Sequence, residues 1–87
     1  MIRIQGSVLK EQGITFAIVI VQKHVLEFKS DRDAALESCR GLFPGMPIVL
    51  MSQDSMANPS YYGPEQIVNM LKGVNPEQIP WKEYTFQ

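Results

Sequence analysis

The chain holds one cysteine, one histidine and one tryptophan in 87 residues, and each scarcity closes off a class of chemistry. A lone Cys39 cannot form an internal disulfide, and a free thiol is most at ease in a reducing compartment, which points to the cytoplasm. A lone His24 leaves a zinc site without the second histidine or cysteine that it needs. There is no Gly-rich phosphate loop, no G-x-S-x-G elbow and no Walker-type lysine. No catalytic residue, metal site or cofactor is therefore assigned, and the chain reads as non-enzymatic. The longest apolar stretch, Phe16 to Val21, falls far short of the ~20 residues that cross a bilayer, and the start of the chain forms no apolar signal core. A dominant charge is missing too. Eight Lys plus Arg against nine Asp plus Glu give a net charge of −1, so counterion release from a phosphate backbone would be a weak driving force, and nucleic acid is not the expected partner.

What is present suits one small globule. With 45% hydrophobic and 20% charged residues the chain can offset its ordering entropy by burial, and its length supports one hydrophobic core, so residues 1–87 read as a single domain. Cores of this size leave a margin of roughly 3–5 kcal/mol, and self-association is one way to enlarge it.

Ile2 to Leu9 carries β-favouring residues, with Ile2 and Ile4 on one face and Gly6 as a bulge, and predicts an outer strand. Lys10-Glu11-Gln12-Gly13 is a polar turn ending in a glycine that can adopt the left-handed conformation. Ile14 to Val21 then predicts the central strand, because a β-branched apolar run leaves no face for water and calls for helices on both sides. Val25, Leu26 and Phe28 are compatible with a strand extension, a bent edge or a packed loop. Ser30 before Asp31, Arg32 and Asp33 has the shape of a capping box and opens a helix over 31–42. Its apolar stripe is Ala35, Leu36, Cys39, Leu42 and Phe43, with Arg32, Glu37 and Arg40 outside it. Two prolines and a glycine between Phe43 and Pro47 stop that helix, and Pro47 to Met51 is the second buried strand.

A polar turn over Gln53 to Asn58 leads into a brief strand from Pro59 to Tyr62, which predicts a hairpin. After Gly63-Pro64, the recurrence of Ile67, Met70, Leu71 and Val74 predicts a second helix that ends near Lys72-Gly73. Asn75 to Gln78 can cap one more turn, and the tail from Trp81 to Gln87, with Trp81, Tyr84 and Phe86, is expected to dock rather than hang free. The fold class is α+β: a two-layer or three-layer sandwich in the order β-β-α-β-β-α, with a mixed sheet and two main helices.

From Ile14 onward the order strand, helix, proline-led strand, hairpin strand, helix is similar to the C-terminal half of the thioredoxin fold. Met46-Pro47-Ile48-Val49-Leu50-Met51, then Tyr61-Tyr62-Gly63 and the helix through Ile67 and Leu71, resembles the segment which in that fold opens with a cis-proline. The family's redox chemistry needs a C-x-x-C at a helix N-terminus, and this chain has only Cys39 within a helix, so no oxidoreductase activity carries over. A ferredoxin-like or other small α/β sandwich accommodates the same order of elements.

Four residues stand out as candidates for recognition: Tyr61, Tyr62, Trp81 and His24. Amphipathic aromatics carry much of the energy of interfaces, although core packing is the commoner use of such rings. Neighbours on a strand face opposite ways, so one of Tyr61 and Tyr62 is expected inside and the other outside. Cys39 with His24 as base is the minimum for a nucleophile, but a thiol on the inner stripe of a helix is inert filler. Asp31 and Asp33 are explained as complements to a helix dipole. Of the methionines, Met46, Met51 and Met70 fall at structural positions, and only Met56 is free. The leading expectation is a self-associating or partner-binding module, a homodimer through an open edge at Ile2 to Leu9 or a complex with another protein. The alternative is a small-molecule-binding or catalytic subunit, its site formed at a subunit boundary from His24, Tyr62 and acids of a neighbour.

Overall fold

Alternation along two parallel strands sets the architecture. In the computed structural model, which describes residues 2–86, the elements are β1 (Ile2–Glu11), β2 (Ile14–Ile20), α1 (Lys23–Glu27), α2 (Lys29–Arg40), β3 (Ile48–Gln53), β4 (Pro59–Tyr62), α3 (Glu65–Leu71), a 3-10 turn (Pro76–Gln78) and β5 (Lys82–Phe86). Met1 and Gln87 lie outside the described residues. The five strands form one mixed sheet in the order β4-β3-β2-β1-β5, in which only β2 and β3 run parallel.

Phe16 and Ile18 of β2 and Val49 and Met51 of β3 face one side, where they pack with Ile67 and Leu71 of α3 and with Ile79. Ala17, Val19, Ile48 and Leu50 face the other side and meet Cys39 and Phe43, with Val25, Leu26, Ala35 and Leu36 around them. The two sets come from one period-2 pattern: register pairs Ile18 with Val49 and Val19 with Leu50, so each pair lands on opposite faces in turn. Helices on both faces make a three-layer sandwich, as the continuous apolar run of β2 requires. Fully burying one such side chain is worth about 1.5–3 kcal/mol, so β2 and β3 supply most of the core.

Four local expectations are corrected. The stretch from Ile2 to Leu9 is not an outer strand: β5 pairs with it over Ile2 to Gly6 and β2 from Gln5 onward, so β1 lies between two strands in the sheet order. Gly6 is not a bulge, since the ladder runs unbroken through Gln5, Gly6 and Ser7. Instead a Cβ at Gly6 would lie 3.0 Å from the Ile18 carbonyl oxygen, so the glycine is where the β2 backbone comes close, with the Phe43 ring over it at 3.5 Å. Val25 and Leu26 belong to a short helix rather than to strand or loop. The β2–β3 ladder stops where the Val21 N–H bonds Met51, so residues beyond have no strand to pair with, and the backbone satisfies itself by turning helical from the Val25 N–H to the Gln22 carbonyl. Finally, α2 starts at Lys29, with Ser30 inside it and no side-chain cap. Phe28 is the single extended residue between the two helices, and its carbonyl accepts the Arg32 N–H.

The remaining connections follow their turn chemistry. Gln12 and Gly13 both have positive φ, 52° and 81°, as a two-residue hairpin between twisted strands demands. Asn75 accepts the Glu77 N–H and caps the 3-10 turn. The tail docks as β5, where Tyr84 meets Phe43 edge-on at 5.0 Å. The Met46–Pro47 peptide bond is trans.

Candidate functional site

The two outermost strands differ in how they are guarded. β5 carries Lys82 and Glu83, charges that discourage further pairing, and Glu83 lies 3.9 Å from Arg3 across the ladder. β4 is the four-residue run Pro59-Ser60-Tyr61-Tyr62 with no charge at all. Its hydrogen-bonding phase is fixed by the hairpin tip, where the Asp54 N–H donates to the Asn58 carbonyl at 3.1 Å. Bonded and non-bonded pairs alternate in an antiparallel ladder, so Ser52 with Ser60 and Leu50 with Tyr62 exchange bonds across to β3. Pro59 and Tyr61 therefore turn their main-chain groups outward: a proline carbonyl with no N–H beside it, and a tyrosine N–H and carbonyl.

The tip is held by Asp54. Its carboxylate accepts the backbone N–H of Asn58 at 2.9 Å and of Met56 at 2.8 Å, and the side-chain amide of Asn58 at 3.2 Å. These bonds, the Asn58 backbone first, hold the carboxyl below the usual range of an aspartate. Ala57 takes positive φ to close the loop, and Met56 stands 81% exposed at its end.

On the α3 side of β4 lies an open groove of about 450 Å³. Pro59 and Tyr61 form the strand wall, Val68 and Leu71 the helix wall, and Lys72 and Val74 the end where α3 stops. The Tyr61 hydroxyl is shut off from solvent without a hydrogen-bond partner in the protein, and burial pushes its pKa above the ordinary value. Sequence reasoning missed Val68 and Lys72. A usable signal was there: α3 carries Val68 in addition to the stripe of Ile67, Met70, Leu71 and Val74, and an apolar face wider than one stripe has a second surface to line.

On the opposite side of β4 the Arg32 guanidinium lies over the Tyr62 ring, 4.5 Å from its centroid, and donates from its Nη1 to the Leu26 carbonyl at 3.0 Å. Tyr62 is 37% exposed and Phe28, one helical turn before Arg32, is 57% exposed. Arg32, expected outside the helix stripe in solvent, is thus half-buried and ties α1, α2 and β4 together.

The candidates from the sequence therefore separate. Tyr61 packs inward against the α3-side core and Tyr62 faces out, the division expected of strand neighbours. Trp81 is half-buried against the same core, and its indole N–H donates to the Pro76 carbonyl at 3.0 Å. His24 is exposed on α1. Cys39 is 3% exposed on the inner face of α2, and burial raises its thiol pKa, which is the wrong direction for a nucleophile. Asp33 pairs with Lys29 at 2.9 Å along α2 and raises the lysine pKa. Among the described residues no three His, Cys, Asp or Glu side chains converge as a metal site would need, and no helix is long and apolar enough to cross a membrane. No protein-family model, no curated protein and no solved structure matches the chain, so the functional reading rests on the geometry of the β4 edge and its groove.

Proposed function

We propose that this protein is a non-enzymatic interaction module which receives an extended segment of a partner protein along the outer edge of β4. The observation that carries the reading is the coincidence, on one uncharged strand, of outward main-chain groups at Pro59 and Tyr61 with a groove running beside them. Strand addition works by this division of labour: main-chain hydrogen bonds supply affinity, and pockets for alternate side chains supply selectivity. The edge first expected to serve, Ile2 to Leu9, is taken up by β5 over its first half. The lone thiol of Cys39 suits a reducing compartment, so the partner is sought in the cytoplasm.

The test is selection of linear eight-residue segments from a displayed random library, followed by amide-exchange mapping of the winners on the full chain. The expected result is slowed exchange at the Tyr61 amide, with shifts of the Val68, Leu71 and Val74 methyls and none along β5. Winners that protect β5 or the Phe28 and Tyr62 surface instead, or a library that yields none, would sink the reading.

A further inference from the structure

The groove beside β4 is mostly apolar, with Ser60 as the one other polar residue on the strand wall besides the Tyr61 hydroxyl. Val68, Leu71 and Val74 face Pro59 and Tyr61 across it, and Lys72 is the only charged residue on its wall. Lys72 takes part in none of the three ion pairs found among the described residues. At the end of α3 the backbone N–H groups of Lys72, Gly73 and Val74 bond the carbonyls of Val68, Met70 and Leu71. An ammonium group with no ion-pair partner among the described residues, on the wall of a mostly apolar groove, complements a carboxylate.

Resting on the β4-edge reading, we infer that the groove takes an extended peptide segment with an apolar residue and an acidic residue two positions apart. The spacing follows from strand geometry. A segment hydrogen-bonded to the outward groups of Tyr61 and Pro59 continues the sheet, so its side chains alternate between the α3 face and the α2 face. Side chains on the α3 face recur every second residue, about 6.5–7 Å along the strand. One of them enters the trough between Tyr61, Val68 and Leu71, and the next on that face lies toward Lys72. An acid placed one residue away instead would project onto the α2 face, where the Arg32 guanidinium lies over Tyr62 with its Nε shut off from solvent and its Nη1 committed to the Leu26 carbonyl. A peptide is the occupant rather than a small apolar acid, because only a peptide main chain uses the row of groups that β4 leaves open.

The experiment titrates three capped peptides into the isotope-labelled full chain and follows the Tyr61 amide and the Val68 and Leu71 methyls. The first, Ac-Ser-Val-Thr-Leu-Thr-Glu-Ser-NH2, places Leu and Glu on one face. The second replaces Glu by Gln, and the third, Ac-Ser-Val-Thr-Leu-Glu-Thr-Ser-NH2, moves the acid to the opposite face. The expected result is that the first binds about two- to fivefold more tightly than either control, the upper part of the range for a single exposed ion pair. The advantage should shrink as salt is raised, and in the Lys72→Met protein it should vanish while the Gln peptide binds as before.

Equal binding of all three along β4, with the Tyr61 amide protected, would overturn the inference and leave the β4-edge reading standing. No perturbation of Tyr61 by any of them at millimolar concentration would overturn both. Shifts of the same resonances on raising protein concentration without peptide would show that a second copy fills the groove, and would overturn the inference in favour of self-association.

Discussion

The Arg32 guanidinium sits 4.5 Å above the centre of the Tyr62 ring, and this contact fastens the first turn of α2 to the edge strand β4. A cation over an aromatic face at a partly exposed site is worth about 0.5–1 kcal/mol. A double-mutant cycle of Arg32→Met and Tyr62→Leu, read by urea denaturation, should return a coupling of about that size. A coupling near zero would mean that the two side chains merely share a surface.

Gly6 should be intolerant of even a methyl group. The Cβ would meet the Ile18 carbonyl oxygen at 3.0 Å, in mid-sheet where backbone cannot yield, while Phe43 and Val19 stand at ordinary contact distance. Gly6→Ala is expected to lose about 1–3 kcal/mol by overpacking. Gly41→Ala is the control: nothing lies within 4 Å of its Cβ and its φ is −67°, so its midpoint should hold or rise.

The Tyr61 hydroxyl has given up water without gaining a partner, which costs about 1–3 kcal/mol for a buried polar group. Tyr61→Phe removes that group and keeps the ring, so stability should rise by about 1 kcal/mol. In an ultraviolet pH titration a phase above the ordinary tyrosine value of 10.0 should also appear, and the substitution should abolish it. A fall in stability on substitution would show the hydroxyl to be bonded.

Acid should loosen the β3–β4 tip before it unfolds the core. The Asp54 pKa is lowered in the folded chain by its bonds from Asn58 and Met56, relative to an ordinary value of 3.8. A group depressed in this way contributes fully above its unfolded pKa and loses the contribution as pH falls through the folded one. The Met56 and Asn58 amide resonances should therefore move together below about pH 4. In Asp54→Asn that step should be absent; its persistence would assign the transition to another carboxyl.

Cys39 should behave as packing. At 3% exposure, with a thiol pKa raised by burial, it is expected to react with a disulfide reagent at neutral pH only as fast as the chain opens, and far faster in urea. Rapid modification of the native protein would overturn the buried assignment.

Much of this structure was written locally. The apolar run of β2, the polar Gln12-Gly13 turn, the proline and glycine stop after Phe43, and the spacing of Ile67, Leu71 and Val74 each depend on residues within a few positions of one another, and each emerged as an element near its expected place. The opposite orientations of Tyr61 and Tyr62 were legible for the same reason, because alternation on a strand is a local rule. Tertiary structure alone decided which strands stand at the edges. Pairing of the tail with Ile2 to Gly6 joins the two ends of the chain, and no periodicity records a partner some eighty residues away. The same non-local contacts turned Val25 and Leu26 into a helix, drew Arg32 onto Tyr62 and brought the Ile18 carbonyl close to Gly6. A sequence fixes the intrinsic preferences of its segments, whereas edges, grooves and unpaired hydrogen-bonding groups exist only once those segments have neighbours, and here it is an edge and a groove that carry the proposed function.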